Sequence, residues 1–395
     1  MSPFVSIPLY LALSVLIGFL TERCLRRWKR TSGNAGTLRK FWLIPYIALS
    51  LMPVAGTLLP DSPLRFALQA VGNVWLGFYV YYGGLLLLFL LLSLLLRLLS
   101  RGRLAAGWHG GILCLTLALA AATAVYGLIH AQHTVVDRYE LALDKPGEDM
   151  KVVLIADLHL SVNSSLSTIQ RMVELVNEEQ PDLVLVGGDI FTSSYGGLSH
   201  PEAYAAALRG MEAKYGVYAV YGNHDVEEPL FCGFSVAPVS RAFRPPEMER
   251  FFRDCGFITL ADEVVSLETG ALLAGRIDKE KAGDGTRNRM SAEELLADAD
   301  KTRPILVLEH EPVEYGALKA AGADVALSGH THAGQLFPGN YVVPFFNENT
   351  WGYAEIRGLH TFVTSGVGYF GPPMRVGTNS EIMVIQLHFA GKQTD

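Results

Sequence analysis

The distribution of hydrophobic and polar positions divides the chain into two parts near residue 130. In the first part, four stretches lack charged residues over 2–21, 41–60, 66–96 and 110–128. Crossing a bilayer as a helix takes about 20 apolar residues, and each stretch comes close to or exceeds that length. The pattern therefore predicts a helical membrane anchor of about four spans over residues 1–130.

The basic residues between these stretches predict an orientation. Seven of them follow the first stretch between Arg23 and Lys40, and three follow the third stretch between Arg97 and Arg103. The positive-inside rule places both loops in the cytoplasm. An even number of crossings then places everything after His130 outside the cytoplasm, in a multi-pass protein of the cell membrane. The stretches contain no cluster of polar residues, which argues against a transport pathway.

From residue 151 onward, short apolar segments alternate with amphipathic ones. Helical spacing of apolar residues predicts helices at 165–179 and 201–214, and 279–289 is predicted as a mobile loop. Strands are predicted at 151–156, 183–186, 217–221, 271–275, 305–308, 325–327, 362–364 and 382–387. Fully apolar strands separated by helices indicate sheets covered by helices. We therefore expect a linker and a first strand over 131–150, followed by an α/β domain over 151–395.

Composition and charge limit the classes of protein to which this chain can belong. Charged residues make up 18% of the chain, below the roughly 25% of soluble proteins, and four Cys in 395 residues make no disulfide framework. Cys232 and Cys255 can pair in an oxidising compartment or remain thiols, and both alternatives stay open. The first 130 residues hold 11 Lys/Arg against two Asp/Glu, whereas the remainder holds 21 against 37. An acidic α/β domain argues against nucleic acid as a partner.

Five predicted strands each lead directly into carboxylate, imidazole or amide side chains. The segments are Asp157-Leu158-His159, Gly187-Gly188-Asp189, Gly222-Asn223-His224-Asp225, Glu309-His310-Glu311-Pro312 and Gly329-His330-Thr331-His332. Ligand crevices in open α/β sheets lie outside the carboxyl ends of the strands. We therefore expect these five loops to converge on one site.

The spacing within the loops suits metal ions. In an extended segment, residues i and i+2 point the same way, so Asp157 with His159, and His330 with His332, can each offer two ligands to one place. Carboxylates and imidazoles suit two divalent transition-metal ions, with Mn, Zn and Fe as candidates. A single carboxylate such as Asp189 can bridge two ions. The sequence thus predicts a dinuclear metal site.

In this order, the motifs resemble those of the calcineurin-like metallophosphoesterase superfamily, over about residues 151–387. Residues 329–335 (GHTHAGQ) and the tail 366–382, which contains Arg375, are most similar to its bacterial membrane-anchored subgroup. The resemblance implies an α/β fold built as a four-layer αββα sandwich, here preceded by the helical anchor. It also implies a dinuclear centre in which a hydroxide bridging the two ions is the nucleophile.

The resemblance assigns a role to each motif residue. One ion would be held by Asp157, His159, Asp189 and His332, and the other by Asp189, Asn223, His310 and His330. His224 would protonate the leaving oxygen or contact the phosphate, with Asp225 orienting it, while Asn223 and Arg375 would contact the substrate. An ordinary ion pair is the alternative for Arg375. The sequence departs from the family at Thr192, where Asp is common three residues after Asp189, so we expect the support of the site to differ there.

These observations predict a membrane-anchored two-metal phosphoesterase that hydrolyses phosphate mono- or diesters, on an envelope or lipid-linked substrate. One alternative is a pyrophosphatase of lipid-linked diphosphates, resembling enzymes that cleave UDP-diacylglucosamine. Another is a catalytically silent membrane sensor or scaffold, although a scaffold has no need of a leaving-group acid at His224. Aromatic residues dense in the loops beside the motifs, including Phe345 and Phe346, either pack in the core or form a lipid-facing rim.

Overall fold

The computed structural model describes residues 3–32, 35–101, 108–231, 234–235 and 238–391. The chain divides into two compact units. The helical unit comprises Met1–Ile129 and two short later segments, Pro229–Ala237 and Gly371–Met374. The α/β unit comprises His130–Glu228, Pro238–Phe370 and Arg375–Asp395.

Four long helices build the helical unit. They are α1 (Pro3–Ser32), α2 (Ala35–Leu58), α3 (Pro63–Leu99) and α4 (Trp108–His130). Each is long and apolar enough to cross a membrane, and α3, with a mean hydropathy of 2.3, extends over 37 residues. At 1.5 Å per residue α3 is about 55 Å long, well beyond the roughly 30 Å of a bilayer core. The prediction of about four apolar helices at the start of the chain is confirmed.

Hydrogen bonds between buried side chains and neighbouring helices hold this unit together. The hydroxyl of Tyr82 lies 2.6 Å from that of Thr21, and both residues are fully buried. The Tyr46 hydroxyl donates to the carbonyl oxygen of Ser14 at 2.6 Å. Because lipid tails are as apolar as the helices, packing and hydrogen bonds of this kind, rather than exclusion of water, drive helices together in a membrane.

The rest of the chain alternates strands and shorter helices. The strands are β1 (Thr134–Pro146), β2 (Met150–Ile155), β3 (Leu183–Val186), β4 (Val217–Ala219), β5 (Leu230–Phe231), β6 (Phe234–Ser235), β7 (Ile258–Thr259), β8 (Glu263–Ser266), β9 (Leu272–Gly275), β10 (Ile305–Leu308), β11 (Val325–Ser328), β12 (Gly352–Ile356), β13 (Leu359–Val363) and β14 (Ser380–Ala390). The helices are α5 (Leu166–Glu178), α6 (Pro201–Leu208), α7 (Pro246–Asp254), α8 (Ala292–Leu295), α9 (Tyr315–Ala321) and α10 (Gly339–Val342).

Two six-stranded mixed sheets form the centre of the α/β unit. The first has the order β1-β14-β2-β3-β4-β7, and the second has the order β12-β13-β11-β10-β9-β8. In the first sheet β2, β3 and β4 run parallel, and in the second β9, β10 and β11 do. The carboxyl ends of these parallel strands therefore share one edge of each sheet.

The side chains of each strand point alternately to the two faces of its sheet, and this alternation explains how the sheets and helices pack in layers. In β3, Leu183 and Leu185 join a cluster that packs between the sheets, and Val184 and Val186 join a cluster shared with α5, α6 and α7. Successive side chains of a strand point to opposite faces, so a fully apolar strand serves both clusters. A further cluster joins the outer face of the second sheet to α8 and α9. The resulting layers are α, β, β and α, as predicted.

The structure also corrects some boundaries and loops. The predicted helix at 201–214 ends at Leu208, because Gly210 is a poor helix former. The segment 279–289, predicted as mobile, contains Lys281 in a buried ion pair with Glu228 and Arg289 paired with Glu314 at 2.7 Å. The strands predicted at 151–156, 183–186 and 305–308 lie within one residue of the observed ones. Cys232 lies outside the described residues, and Cys255 is a buried free thiol in the structure, so of the two alternatives the structure has the thiol at Cys255.

Candidate metal centre

The predicted ligands come from strand ends of both sheets. Asp157 follows β2, Asp189 follows β3 and Asn223 follows β4, all in the first sheet. His310 follows β10, and His330 follows β11, in the second sheet. The structure brings all seven predicted ligands together, because the two sheets present these loops to the same edge of the unit.

Asp157, His159 and His332 form the first group. One ligand atom from each of these buried residues lies within 4.8 Å of the others. The Nε2 atoms of His159 and His332 are 3.0 Å apart, and the Asp157 Oδ1 atom lies 4.0 Å and 3.7 Å from them. Two imidazole nitrogens and a carboxylate oxygen that face one another at these distances suit a divalent transition metal.

Asp189, His310 and His330 form the second group, together with Asn223. The Asp189 Oδ2 atom lies 3.1 Å from His310 Nε2. The Asn223 Oδ1 atom lies 2.9 Å from His310 Nε2 and 3.2 Å from His330 Nδ1. Asp189 Oδ2 is also 3.6 Å from His159 Nε2 in the first group. One carboxylate thus faces both groups.

The backbone at these residues is unusual. Asp157, His159, Asp189, His330 and His332 have positive φ angles between 46° and 74°. The side chains of Asp157 and His159 therefore do not converge by the i, i+2 geometry of an extended segment, and that prediction is wrong. The left-handed turns themselves aim the side chains into the site. Each such residue costs on the order of 1–3 kcal/mol, and backbone strain of this kind gathers at functional sites.

Burial keeps two of the imidazoles in the form that binds metals. It lowers the pKa of His159 to about 4 and that of His330 to about 3, so both rings are neutral at pH 7. Burial likewise lowers the pKa of His310, but the charge and hydrogen bond of Asp189, together with the charges of Asp157 and Asp278, outweigh it and raise that pKa well above its usual value. Burial also raises the pKa of Asp157 to about 7. A cation between the groups would compensate these desolvated carboxylates, so the donor set fits divalent ions.

Surrounding groups orient the ligands, as is usual in metal sites. His310 Nδ1 lies 2.8 Å from the carbonyl oxygen of Gly187, which directs Nε2 toward Asp189 and Asn223. The backbone N–H of His330 donates to both oxygens of Asp157, at 3.0 and 3.1 Å. These contacts fix the ligand atoms in place before any ion binds.

His224 lies beside the two groups and has other partners than expected. Its backbone N–H donates to Asp189 Oδ1 at 2.7 Å, and its Nδ1 lies 2.8 Å from the Ser193 hydroxyl. That hydroxyl is 3.4 Å from the Glu228 carboxylate, which also pairs with Lys281. The ring of His224 is therefore oriented through Ser193, which the motifs did not indicate.

The role expected for Asp225 is therefore corrected. One of its carboxylate oxygens accepts from the N–H of Phe191 at 3.0 Å, and the other accepts from the N–H of Gly222 at 2.8 Å. These bonds brace the loops that carry Asp189 and Asn223. Asp225 supports the backbone of the site and does not contact the His224 ring through a hydrogen bond.

Arg375 and Thr192 also differ from expectation. Arg375 is fully buried, and its guanidinium donates to the carbonyl oxygens of Ser365, Gly366 and Gly368 at 2.6 to 3.1 Å. Its Nη2 atom also lies 3.4 Å from Nδ1 of His332, so Arg375 is a buried group behind a predicted ligand and not a surface ion pair. Thr192 stands where the family often has Asp, and its hydroxyl lies 3.3 Å from His159 Nδ1.

Comparison with known proteins agrees with these motifs. Residues 150–334 match the family described as calcineurin-like phosphoesterase. A "Transmembrane protein with metallophosphoesterase domain" of Danio rerio is 32% identical over 79% of this chain and 72% of its own length. An uncharacterized metallophosphoesterase of Bacillus subtilis (strain 168) is 30% identical over 61% of this chain and 79% of its own. One of Helicobacter pylori (strain J99) is 28% identical, and this chain covers about three fifths of it.

The match to the Danio rerio protein extends over more residues than the α/β unit alone supplies, so it includes part of the helical unit. The family model, by contrast, ends at residue 334 and leaves the tail with Arg375 outside. Family, fold and ligand chemistry agree. The chain therefore belongs to the calcineurin-like phosphoesterase family, as its motifs predicted, and is a hydrolase of phosphoric ester bonds.

Proposed function

We propose that this membrane protein is a two-metal phosphoesterase that hydrolyses phosphate mono- or diesters. The observation that carries the proposal is the position of Asp189, whose Oδ2 atom lies 3.1 Å from His310 Nε2 and 3.6 Å from His159 Nε2. A carboxylate that faces two ligand groups can bridge two ions about 3.5–4 Å apart. Asp157, His159 and His332 would complete one ion site, and Asn223, His310 and His330 the other. Mn, Zn and Fe all suit these ligands.

Bound divalent ions would supply positive charge to the phosphate oxygens and lower the pKa of an attacking water. His224 supplies the proton for the leaving oxygen. With Nδ1 held by Ser193, its other ring nitrogen is the one available to a substrate. Burial holds the pKa of His224 well below its usual value, and an anionic phosphate beside the ring would raise it again. Substrate entry would thereby place the proton where the leaving group needs it.

The substrate we propose is lipid-linked or bound to the envelope. Phe345 and Phe346 are 86% and 79% exposed, and Tyr341 beside them is also exposed. Clusters of exposed apolar side chains mark interaction surfaces, and aromatic rings favour the membrane interface. A phosphorylated lipid and a lipid-linked diphosphate, of the kind that UDP-diacylglucosamine represents, both meet this description. A silent scaffold would need neither His224 nor the ligand set.

We also propose that the α/β unit lies outside the cytoplasm. The seven-charge loop after the first apolar stretch and the three-charge loop after the third both favour the cytoplasmic side. With four spans, the segment after α4 emerges on the opposite side. The α/β unit follows α4 directly, since β1 begins at Thr134.

The first prediction tests the bridging carboxylate. Asp189→Ala should lose bound metal and hydrolysis of an aryl phosphate together, because the same side chain serves both ion sites. Metal content by inductively coupled plasma mass spectrometry and turnover are measured on the purified full chain. Asp298→Ala, at an exposed carboxylate, is the matched control and should change neither quantity. Full metal occupancy with normal turnover in Asp189→Ala would refute the site.

The second prediction separates proton donation from metal binding. His224→Ala should keep its metal and lose about 10²- to 10⁴-fold in rate, the usual contribution of a general acid. The loss should be smaller for 4-nitrophenyl phosphate than for phenyl phosphate, because nitrophenolate leaves without a proton. Ser193→Ala should show a smaller loss with the same dependence on the leaving group, and Ser193→Thr should restore it. His200→Ala is the control at an exposed His. An equal loss on both esters would assign His224 to charge stabilisation.

The third prediction concerns sidedness. A reporter fused after Asp395 should behave as extracytoplasmic, so alkaline phosphatase should be active and green fluorescent protein dark. The matched control is the same pair of reporters fused after Arg101, in the three-charge loop, where the outcome should be reversed. Fluorescence at Asp395 would show that the number of crossings is odd.

The fourth prediction concerns the exposed aromatic residues. In mixed micelles, Phe345→Ser/Phe346→Ser should lower turnover of a phosphorylated lipid and leave turnover of its water-soluble headgroup unchanged, since only the lipid requires contact with an interface. Ile258→Ser, at an exposed apolar position on β7, is the control. If wild-type protein cuts the headgroup as fast as the lipid and the double mutant changes neither, the lipid-facing surface is wrong and the phosphoesterase remains.

A further inference from the structure

A polar cavity lies within the helical unit, far along the chain from the metal ligands. Its volume is about 220 Å³, many times what a single water needs. The cavity is at the end of the bundle where α1 and α3 finish and α4 begins. Its polar lining consists of Arg23, Cys24, Arg27, Ser93, Arg97 and His109, and three leucines complete the wall.

The lining carries positive charge without a negative counterpart. Three arginines face the cavity, and none of the described residues that line it is acidic. Arg23 and Arg27 are one turn apart on α1, where like charges repel. Arg27 Nη1 lies 2.6 Å from His109 Nε2, a second basic group rather than an acidic one. On the same helix, Arg26 already pairs with Glu22 at 2.8 Å and does not line the cavity.

A cluster of three arginines around one cavity is expected to bind an anion. Arg23 and Arg97 are exposed and Arg27 is half-buried, so their charges repel one another around one cavity, and a bound anion would relieve that repulsion. The guanidinium fork donates two parallel hydrogen bonds, and phosphate oxygens match that geometry. The Trp108 indole N–H donates to Ser93 Oγ at 2.9 Å, which fixes one wall of the cavity.

We propose that this cavity binds the phosphate of an anionic phospholipid headgroup. The wall combines arginines with leucines, as a phosphate attached to an acyl chain requires, and it lies at the end of helices that can cross a membrane. The basic loops predict that this end faces the cytoplasm, where anionic lipids attract basic pockets between helices. The site is separate from the metal centre and needs no catalysis.

The test measures bound lipid on the full chain. Purified protein in detergent receives equal amounts of phosphatidylglycerol and phosphatidylcholine, and native mass spectrometry counts the lipid retained. Wild type should retain one phosphatidylglycerol in preference to phosphatidylcholine. Arg23→Gln/Arg27→Gln/Arg97→Gln should weaken that binding about a hundredfold, since each basic side chain contributes about fivefold near a lipid phosphate. Arg26→Gln removes the same charge from the same helix outside the cavity and should retain the lipid.

A single variant and a competing anion complete the test of lipid binding. Arg97→Gln alone, at an exposed position in the last turn of α3, should weaken phosphatidylglycerol binding about fivefold even if the triple variant fails to fold. Equal retention of the two lipids by wild type, or equal loss in Arg26→Gln and Arg97→Gln, would overturn the proposal. Inorganic phosphate that displaces the lipid at equal concentration would assign the cavity to a soluble anion and overturn the lipid. Hydrolysis is measured separately, so failure here leaves the phosphoesterase untouched.

Discussion

Two carboxylates without access to water, Asp157 and Asp189, set the constraint on which the α/β unit depends. A buried carboxylate must be compensated, and this unit does so with main-chain N–H donors from His330 and His224 and with the imidazole of His310. Those partners lie in loops that follow strands of different sheets, so compensation requires both sheets to be in place. The contacts among the residues of the candidate metal centre therefore join the two sheets, and the two sheets in turn position those residues.

The sequence predicted strands and candidate site residues correctly where an unbroken apolar pattern is followed directly by polar side chains. Apolar strands such as β3 and β10 were predicted to within one residue, because every position is buried and the pattern is unbroken. The seven predicted ligands could be picked out because polar residues directly after such strands are conspicuous, and the structure brings them together. The resemblance to a known family then added the assignment of each ligand to an ion, which residue types alone leave open.

The prediction failed where backbone conformation and long-range partners decide. The left-handed φ of His159 gives no signal in a pattern of apolar and polar residues, so the wrong backbone geometry was inferred for this predicted ligand. Ser193, Glu228 and Lys281 meet around His224 from distant parts of the chain. Lys281 lies in a segment that has neither a helical nor a strand pattern. The sequence around it therefore does not indicate that it pairs with Glu228. Such pairs follow from the tertiary fold alone.

The left-handed backbone at five ligands has a consequence for how the family diverges. Conformations of this kind cost free energy in the folded state, and Gly adopts them at less cost than residues that carry a Cβ. Substitution of such a residue by Gly would therefore remove strain from its loop as it removes function, whereas substitution by Ala would keep the strain. A lineage released from selection for hydrolysis can therefore exchange these side chains for Gly without straining the loops, and its inactive descendants would keep the backbone of the sandwich.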